Sequence, residues 1–207
     1  MMKPREAPRW RLLRFESLDP HLNLAIDEAI LMAVEAGTAP NTLRLWRNPR
    51  SVVLGVCEEI EDEVELAACE RLGVQVLRRF TGGGTVYHDQ GNLNWTIAVR
   101  REPSMFGEIL DSSEIFQTFV KPISTALRTL GLEPELRPPA SIFIDGMKVS
   151  GMAASVKRGA VLCHGSLLLN SNIAMMGQVL KNMKYPVANL SDLVDKRFPD
   201  SYMEDEG

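Results

Sequence analysis

The sequence predicts a soluble α+β chain folded as one domain, and three observations carry that prediction. Strand-like and helix-like periodicities alternate along the chain, a glycine-rich polar loop is held between two strands, and the composition is globular. With 207 residues, 45% hydrophobic and 24% charged, the chain can bury one large core. A net charge of −4 gives no electrostatic footprint for nucleic acid. No apolar run reaches the roughly 18 residues of a membrane span. The start, Met1 to Pro8, has no apolar signal region, which points to the cytoplasm. Cys57, Cys69 and Cys163 are odd in number and lack Cys-x-x-Cys spacing, so they read as buried thiols rather than a disulfide framework or zinc site.

The first strand is expected at Trp10–Phe15. Asp19 then caps a helix with Pro20 at its first position, and Leu24, Ile26, Ala29, Ile30, Ala33 and Val34 give it a core face until Gly37 stops it. Strands follow at Thr42–Arg47 and Ser51–Val56, joined by a turn at Asn48-Pro49. An acidic helix, its glutamates solvated, runs from about Glu59 to Gly73. The next strand, Val74–Phe80, leads into Thr81-Gly82-Gly83-Gly84-Thr85-Val86-Tyr87-His88-Asp89-Gln90-Gly91-Asn92, and a further strand runs Leu93–Val99. Three consecutive glycines carry a large backbone-entropy cost and suit a site where something lies against the main chain. Flanked by Arg78 and Arg79, their amides read as an anion cradle. The spacing matches neither a dinucleotide fingerprint nor a P-loop. A glycine-rich hairpin with a charged rim is the competing reading.

A helix from Ser113 to Leu130 carries Ile115, Phe119, Ile123, Leu127 and Leu130 at helical spacing, with Pro122 inside and Gly131 as its stop. In Ile142-Phe143-Ile144-Asp145-Gly146-Met147-Lys148-Val149, Asp-Gly between apolar runs signals a two-residue hairpin. Ile144 then faces Met147, Phe143 faces Lys148, and Lys148 projects beside Ser150 and Gly151. By itself Lys148 reads as a solvated lysine. Ala160–Leu169 is apolar enough for a central strand, which makes His164 a core imidazole on the plain reading. A short helix at Ile173–Leu180 is the last element expected before a disordered acidic tail.

Four segments keep the order and spacing of the catalytic domain of lipoate-protein ligases, which the chain resembles over roughly residues 15–193. They are Asn23-Leu24-Ala25-Ile26-Asp27-Glu28, Arg78 through Asn94, Gly146 through Ala153, and His164-Gly165-Ser166-Leu167-Leu168. The glycine-loop segment is the specific one. The resemblance implies a mixed β-sheet packed by helices, the catalytic fold of biotin and lipoate ligases, related to class II aminoacyl-tRNA synthetases. It implies a single domain over residues 1–207, with a core at about 10–193 and a tail at 194–207.

It also implies a two-step chemistry. Lipoate and ATP, with Mg²⁺, give lipoyl-adenylate and pyrophosphate, and a lysine of an acceptor lipoyl domain then attacks the activated carbonyl. Carried over by position, Lys148 is catalytic, set against the carboxylate and α-phosphate. Arg79 and the backbone of Gly82, Gly83 and Gly84 line the lipoyl-adenylate channel, while His88 and Asn92 hold the nucleotide end. Tyr87, Gly151, Ala153, His164 and Gly165 complete the implied binding set, and no metal ligand is assigned. The apolar tunnel for the acyl tail is expected to separate octanoate from lipoate poorly. Implied partners are lipoyl-domain acceptors, the glycine-cleavage H protein and 2-oxoacid dehydrogenase E2. The family's C-terminal accessory domain is not expected in this chain, so a separately encoded accessory protein is.

Ala140-Ser141 stands where family members often carry Asn-Asp. Two other readings compete. An octanoyltransferase or lipoyl amidotransferase of the same fold needs an accessible cysteine near Lys148. A non-catalytic subunit would only bind lipoate or an adenylate. Biotin ligase is disfavoured, because the loop lacks Gly-Arg-Gly-Arg.

Overall fold

The computed structural model describes residues 9–101 and 112–197. Its main sheet collects β1 (Trp10–Leu13), β2 (Asn41–Trp46), β6 (Asn92–Arg100), β10 (Ala160–Leu168), β9 (Met147–Val156), β8 (Ser141–Ile144) and β7 (Glu135–Arg137), in that spatial order. The sheet is mixed, since β1 runs parallel to β2 and the other pairs are antiparallel. β10 is central, as its apolar sequence required, with Val161, Leu162 and Cys163 fully buried.

Strand β6 is buried on both faces, and its period of two assigns each side a helix. Trp95, Ile97 and Val99 join Ile115, Phe119 and Leu127 of α4 (Ser112–Thr129) in one core. On the other face Ala98 packs with Ile30, Leu31 and Val34 of α1 (Pro20–Glu35). The expected caps hold: the Asp19 carboxylate accepts from the His21 amide, Pro20 opens α1, and Gly37 ends it at φ 73°. The expected core face of α1 needs correcting, because Ala29 is exposed and the polar Asn23 and Asp27 turn inward. On α4, Leu130 is exposed rather than core.

A second sheet of three strands was not anticipated. In it β3 (Ser51–Leu54) lies between β4 (Gln75–Arg78), parallel to it, and β5 (Val86–His88), antiparallel. The strands read on either side of Asn48-Pro49 thus belong to different sheets. The acidic segment forms two helices, α2 (Ile60–Glu63) and α3 (Leu66–Leu72). The break falls at Val64-Glu65, because Val64 bridges to Leu180 and the Glu65 amide bonds the Val179 carbonyl. Gly73 caps α3 in the left-handed conformation, as expected. These helices and α5 (Ile173–Val179) share a small core with Val52, Leu54 and Tyr87.

Leu190–Arg197 is helical (α6), so the tail expected from residue 194 does not begin there; residues 198–207 and the leading Met1–Pro8 lie outside the described residues. Cys69 and Cys163 are buried as expected, whereas Cys57 is exposed in the turn after β3.

Candidate functional site

Two cavities, of about 470 and 270 Å³, adjoin beneath the glycine loop. They share Gly83, Gly84, Lys148, Gly151, Ser166 and Tyr185. The larger runs toward Leu24, Trp46, Trp95, Phe116 and Met152, an apolar end. The smaller opens toward Glu58, Glu63 and Asn182, and Lys184 lines both. A row of paired residues crosses the sheet along the larger cavity: Trp46, Asn94, Ser166, Gly151 and Ser141, from β2 to β8.

The arginines beside the glycines are clamps. Arg79 is 7% exposed, and its Nη2 donates to the carbonyls of Gly82 and Gly84 at 2.6 and 2.9 Å. Its Nη1 donates to the Val53 carbonyl and its Nε to Thr81 Oγ1. Burial pushes its pKa down to about 10, which leaves it cationic at neutral pH. Arg78 donates to the carbonyls of Gly55, Val56 and Glu58. The loop carbonyls thus turn toward Arg79, and the amides of Gly82, Gly83 and Gly84 find no acceptor among the described residues. Gly83 needs its positive φ of 82°. A Cβ on Gly82 or Gly84 would meet nothing within 4 Å, so open space lies against these residues.

A buried polar chain ties this loop to α1. Arg44, fully buried, donates to Asp27 Oδ1 at 2.7 Å. Asp27 Oδ2 accepts from Thr96 Oγ1 at 2.7 Å and stands 3.1 Å from His164 Nδ1. His164 Nε2 lies 2.8 Å from Thr81 Oγ1, the same hydroxyl that accepts from Arg79. Because that hydroxyl accepts from Arg79, it is free to donate to Nε2, and the Nδ1–H tautomer of His164 then satisfies every member. His164 was expected as a binding residue; it lines the larger cavity with Gly165 and Ala153 while locking the loop. Gly165 is required by packing, since a Cβ there would stand 2.7 Å from the Gly151 carbonyl oxygen and 2.8 Å from the Trp95 ring.

Lys148 sits at the junction of the cavities. Asp145 and Gly146 both have positive φ, 50° and 78°, and pair Phe143 with Lys148 and Ile144 with Met147, as the turn chemistry required. A bulge after Ile142 re-aims the strand. The Lys148 amide donates to the Pro186 carbonyl and its carbonyl accepts from the Ala188 amide, so its backbone is fixed on the second side too. Lys148 Nζ stands 5.8 Å from the Tyr185 ring centre and would lie 3.6 Å from a Cβ on Gly151. Burial, with the charge of Lys184, pulls its pKa below the ordinary lysine value. Ser141 lines the larger cavity too.

The polar residues after the glycines divide in role. His88 lines the larger cavity, but burial, aided by Arg79 and His164, holds its pKa at about 3, so it is a neutral group rather than a phosphate-binding cation. Tyr87 lines the smaller cavity with its hydroxyl on Met175 Sδ. Asn92 lines neither. It is fully buried, donating to the Tyr87 carbonyl and accepting from Ser171 Oγ, so it braces the chain instead of facing a nucleotide. Asp89 caps the amides of Gly91 and Asn172. Sequence reasoning missed Asp27 and Thr81 as supports, and Asn94, Ser166, Lys184 and Tyr185 as lining. The buried side-chain atoms without a partner among the described residues are Thr85 Oγ1, both amide atoms of Asn94, Trp95 Nε1 and Ser150 Oγ, and all belong to cavity-lining residues. Orphaned polar groups gathered at one cleft are what a ligand with its own hydrogen-bonding groups would complete.

Known proteins are similar to this chain in sequence and fold. The chain is 32% identical over 208 residues to lipoate-protein ligase A subunit 1 of Thermoplasma acidophilum, covering 89% of this chain and 77% of that protein. It is 31% identical to the lipoate-protein ligase LplJ of Bacillus subtilis, over 86% of this chain and 55% of that protein, and 34% identical to the octanoyltransferase LipM of Moorella thermoacetica, over 84% and 70%. Among solved structures, a T. acidophilum putative lipoate protein ligase with bound lipoic acid superposes with a TM-score of 0.80 at 34% identity, covering 89% of this chain and 78% of that one. A lipoate-protein ligase A bound with ATP gives 0.81 at 32%, covering 89% and 77%. A bi-partite T. acidophilum ligase, solved in a study with its E2 lipoyl domain, gives 0.81 at 31%, covering 91% and 77%. The model of the lipoyl protein ligase A/B catalytic domain matches residues 19–204, and the chain belongs to that family.

Proposed function

We propose that the chain is the catalytic part of an ATP-dependent lipoate-protein ligase. The observation that carries this reading is the placement of Lys148 where an apolar and a polar cavity meet, with no cysteine lining either. The acyl tail takes the larger cavity and the nucleotide the smaller. The carboxylate oxygen attacks the α-phosphate and pyrophosphate leaves; the acceptor lysine amine then attacks the acyl carbonyl and AMP leaves. The Lys148 ammonium neutralises charge that grows on the α-phosphate in the first step and on AMP in the second, and the free glycine amides supply further donors, a preorganised electrostatic contribution. Relatives solved with lipoic acid and with ATP support both substrates. Among the described residues no group of three or more metal-ligand side chains forms. Mg²⁺ would enter on the phosphates, as it commonly does, with Glu58 and Glu63 the carboxylates at the smaller cavity.

The LipM likeness keeps thioester transfer as the alternative to be tested. It lacks a nucleophile here: Cys163 is fully buried with its thiol pKa raised by desolvation, Cys69 is on the buried face of α3, and Cys57 lies outside both cavities. The acceptor is an E2 or H-protein lipoyl domain, and efficient turnover uses a separate accessory protein, in keeping with the bi-partite relative. No helix among the described residues is long and apolar enough to cross a membrane. The test is lipoate-dependent ATP–pyrophosphate exchange, then lipoylation of a purified acceptor domain with and without the candidate accessory protein. Octanoyl transfer from a carrier thioester without ATP would replace the ligase reading, and binding of lipoate without exchange, even with the accessory protein, would leave a non-catalytic subunit.

A further inference from the structure

Asn94 is 2% exposed, lines the larger cavity, and has no hydrogen-bond partner for either Nδ2 or Oδ1 among the described residues. Its neighbours along β6 set it apart. Asn92, two residues before, is satisfied by the Tyr87 carbonyl and Ser171 Oγ, and Thr96, two residues after, by Asp27 and Trp46 Nε1. An asparagine gains nothing from strand propensity at the centre of a sheet, and a buried amide left unpaired is destabilising. A buried amide that the protein leaves unpaired in a residue of the cavity wall is a group for the occupant.

Position indicates which part of the occupant meets it. Asn94 pairs with Ser166, and Ser166 pairs with Gly151, beside which Lys148 Nζ lies. Strands are spaced about 4.8 Å, so Asn94 stands roughly 10 Å across the sheet from Gly151. An extended octanoyl chain has about that length. An acid with its carboxylate at Lys148 and its chain along this row brings its tail, not its head, to the Asn94 amide. A plain aliphatic tail leaves both amide atoms dry and unpaired. A dithiolane offers sulfur lone pairs to Nδ2, and its reduced form adds a thiol donor for Oδ1.

We propose that Asn94 is a specificity-determining residue of the acyl cavity, selecting acids whose tail carries sulfur over all-carbon acids of the same length and shape. This rests on the acyl-activating reading above, and it replaces the expectation of a tunnel blind to anything but size. Sulfur is a weak acceptor, so the discrimination is about tenfold rather than the far larger ratios seen where strong acceptors are read.

The test uses the full chain and three acids: lipoate, octanoate and cyclopentylpentanoate, the last keeping the ring and length of lipoate with carbon in place of sulfur. Affinities come from calorimetric titration with wild type, Asn94→Leu and Asn94→Thr. Wild type should bind lipoate about tenfold more tightly than the carbocycle. Asn94→Leu should bring that ratio near one, chiefly by improving the carbocycle and octanoate, and Asn94→Thr, which keeps one hydroxyl, should fall between. Equal wild-type affinities for lipoate and the carbocycle would overturn the inference even if both variants failed to fold, as would an unchanged ratio in folded Asn94→Leu. Binding of none of the acids by wild type would instead sink the acyl-activating reading, and this inference with it.

Discussion

Replacing Thr81 by Val isolates the junction on which the glycine loop hangs. Thr81 is 2% exposed, and one hydroxyl joins Arg79 Nε at 3.0 Å to His164 Nε2 at 2.8 Å. Valine fills nearly the same volume, so the loss is confined to two hydrogen bonds. The bond from a buried guanidinium contributes about 1.5–3 kcal/mol and the neutral one about 0.5–1.5, and removing their shared partner leaves Arg79 Nε dry. The expected destabilisation is about 2–4 kcal/mol in urea unfolding. Arg79 still holds the carbonyls of Gly82 and Gly84, so the loop is loosened rather than released. Lipoate should then bind about tenfold more weakly, because part of its binding free energy must order the loop. Thr81→Ser keeps the hydroxyl and should restore most of the affinity at some cost in packing. Stability within about 0.5 kcal/mol of wild type, with Val and Ser variants binding lipoate equally, would refute the idea that this chain of groups positions the loop.

Lys148→Ala should stay folded and lose on the order of 10²-fold or more in lipoyl-adenylate formation, measured by pyrophosphate exchange; near-normal adenylation would remove Lys148 from the chemistry. Simultaneous replacement of Cys57, Cys69 and Cys163 by Ala or Ser should lower stability at the two buried positions yet keep ATP-dependent lipoylation measurable. Lys184→Gln should shift the alkaline limb of the pH–rate profile to higher pH, because the charge it removes is one that pulls the Lys148 pKa down. His88, with a folded pKa of about 3 against about 6.5 unfolded, contributes stability that is complete above pH ~6.5 and lost as pH falls toward 3. Chemical denaturation across that window should show His88→Gln losing stability less steeply than wild type, by up to about 1.4 kcal/mol per pH unit.

What was readable in the sequence is local chemistry. Asp19-Pro20, Gly37 and Gly73 fixed helix ends because capping involves neighbours in the chain, and Asp145-Gly146 fixed the hairpin that delivers Lys148. The second sheet was not readable, because β3 takes partners from β4 and β5, and no turn residue announces which strands share a sheet. The interior of α1 was misread for a different reason. A template that looks for apolar periodicity skips Asn23 and Asp27, although they stand four residues apart on the buried face. β2 carries the matching sign: its buried positions are Thr42, Arg44 and Trp46, while Leu43 and Leu45 are only half-buried. An apolar–polar alternation with its polar set inward indicates a buried ionic partner, and Asp27 is that partner.

At the candidate site the atoms of the glycine loop are arranged otherwise than the sequence suggested. Arginines beside bare glycine amides suggested two kinds of anion donor pointing the same way, yet Arg79 commits four of its five N–H groups to the protein. Arg79 has given its three nitrogens to protein oxygens, two of them the loop's own carbonyls. A peptide unit presents its amide opposite its carbonyl, so drawing carbonyls inward is what leaves amides available outward. In the proposed function the cation that meets the ligand is Lys148, half-buried at the meeting of the cavities. The division has a consequence for substitution. Arg79→Lys keeps the charge but can form neither the fork to Gly82 and Gly84 nor the bond to Thr81, so it should act as a loss of loop geometry and weaken lipoate and ATP together.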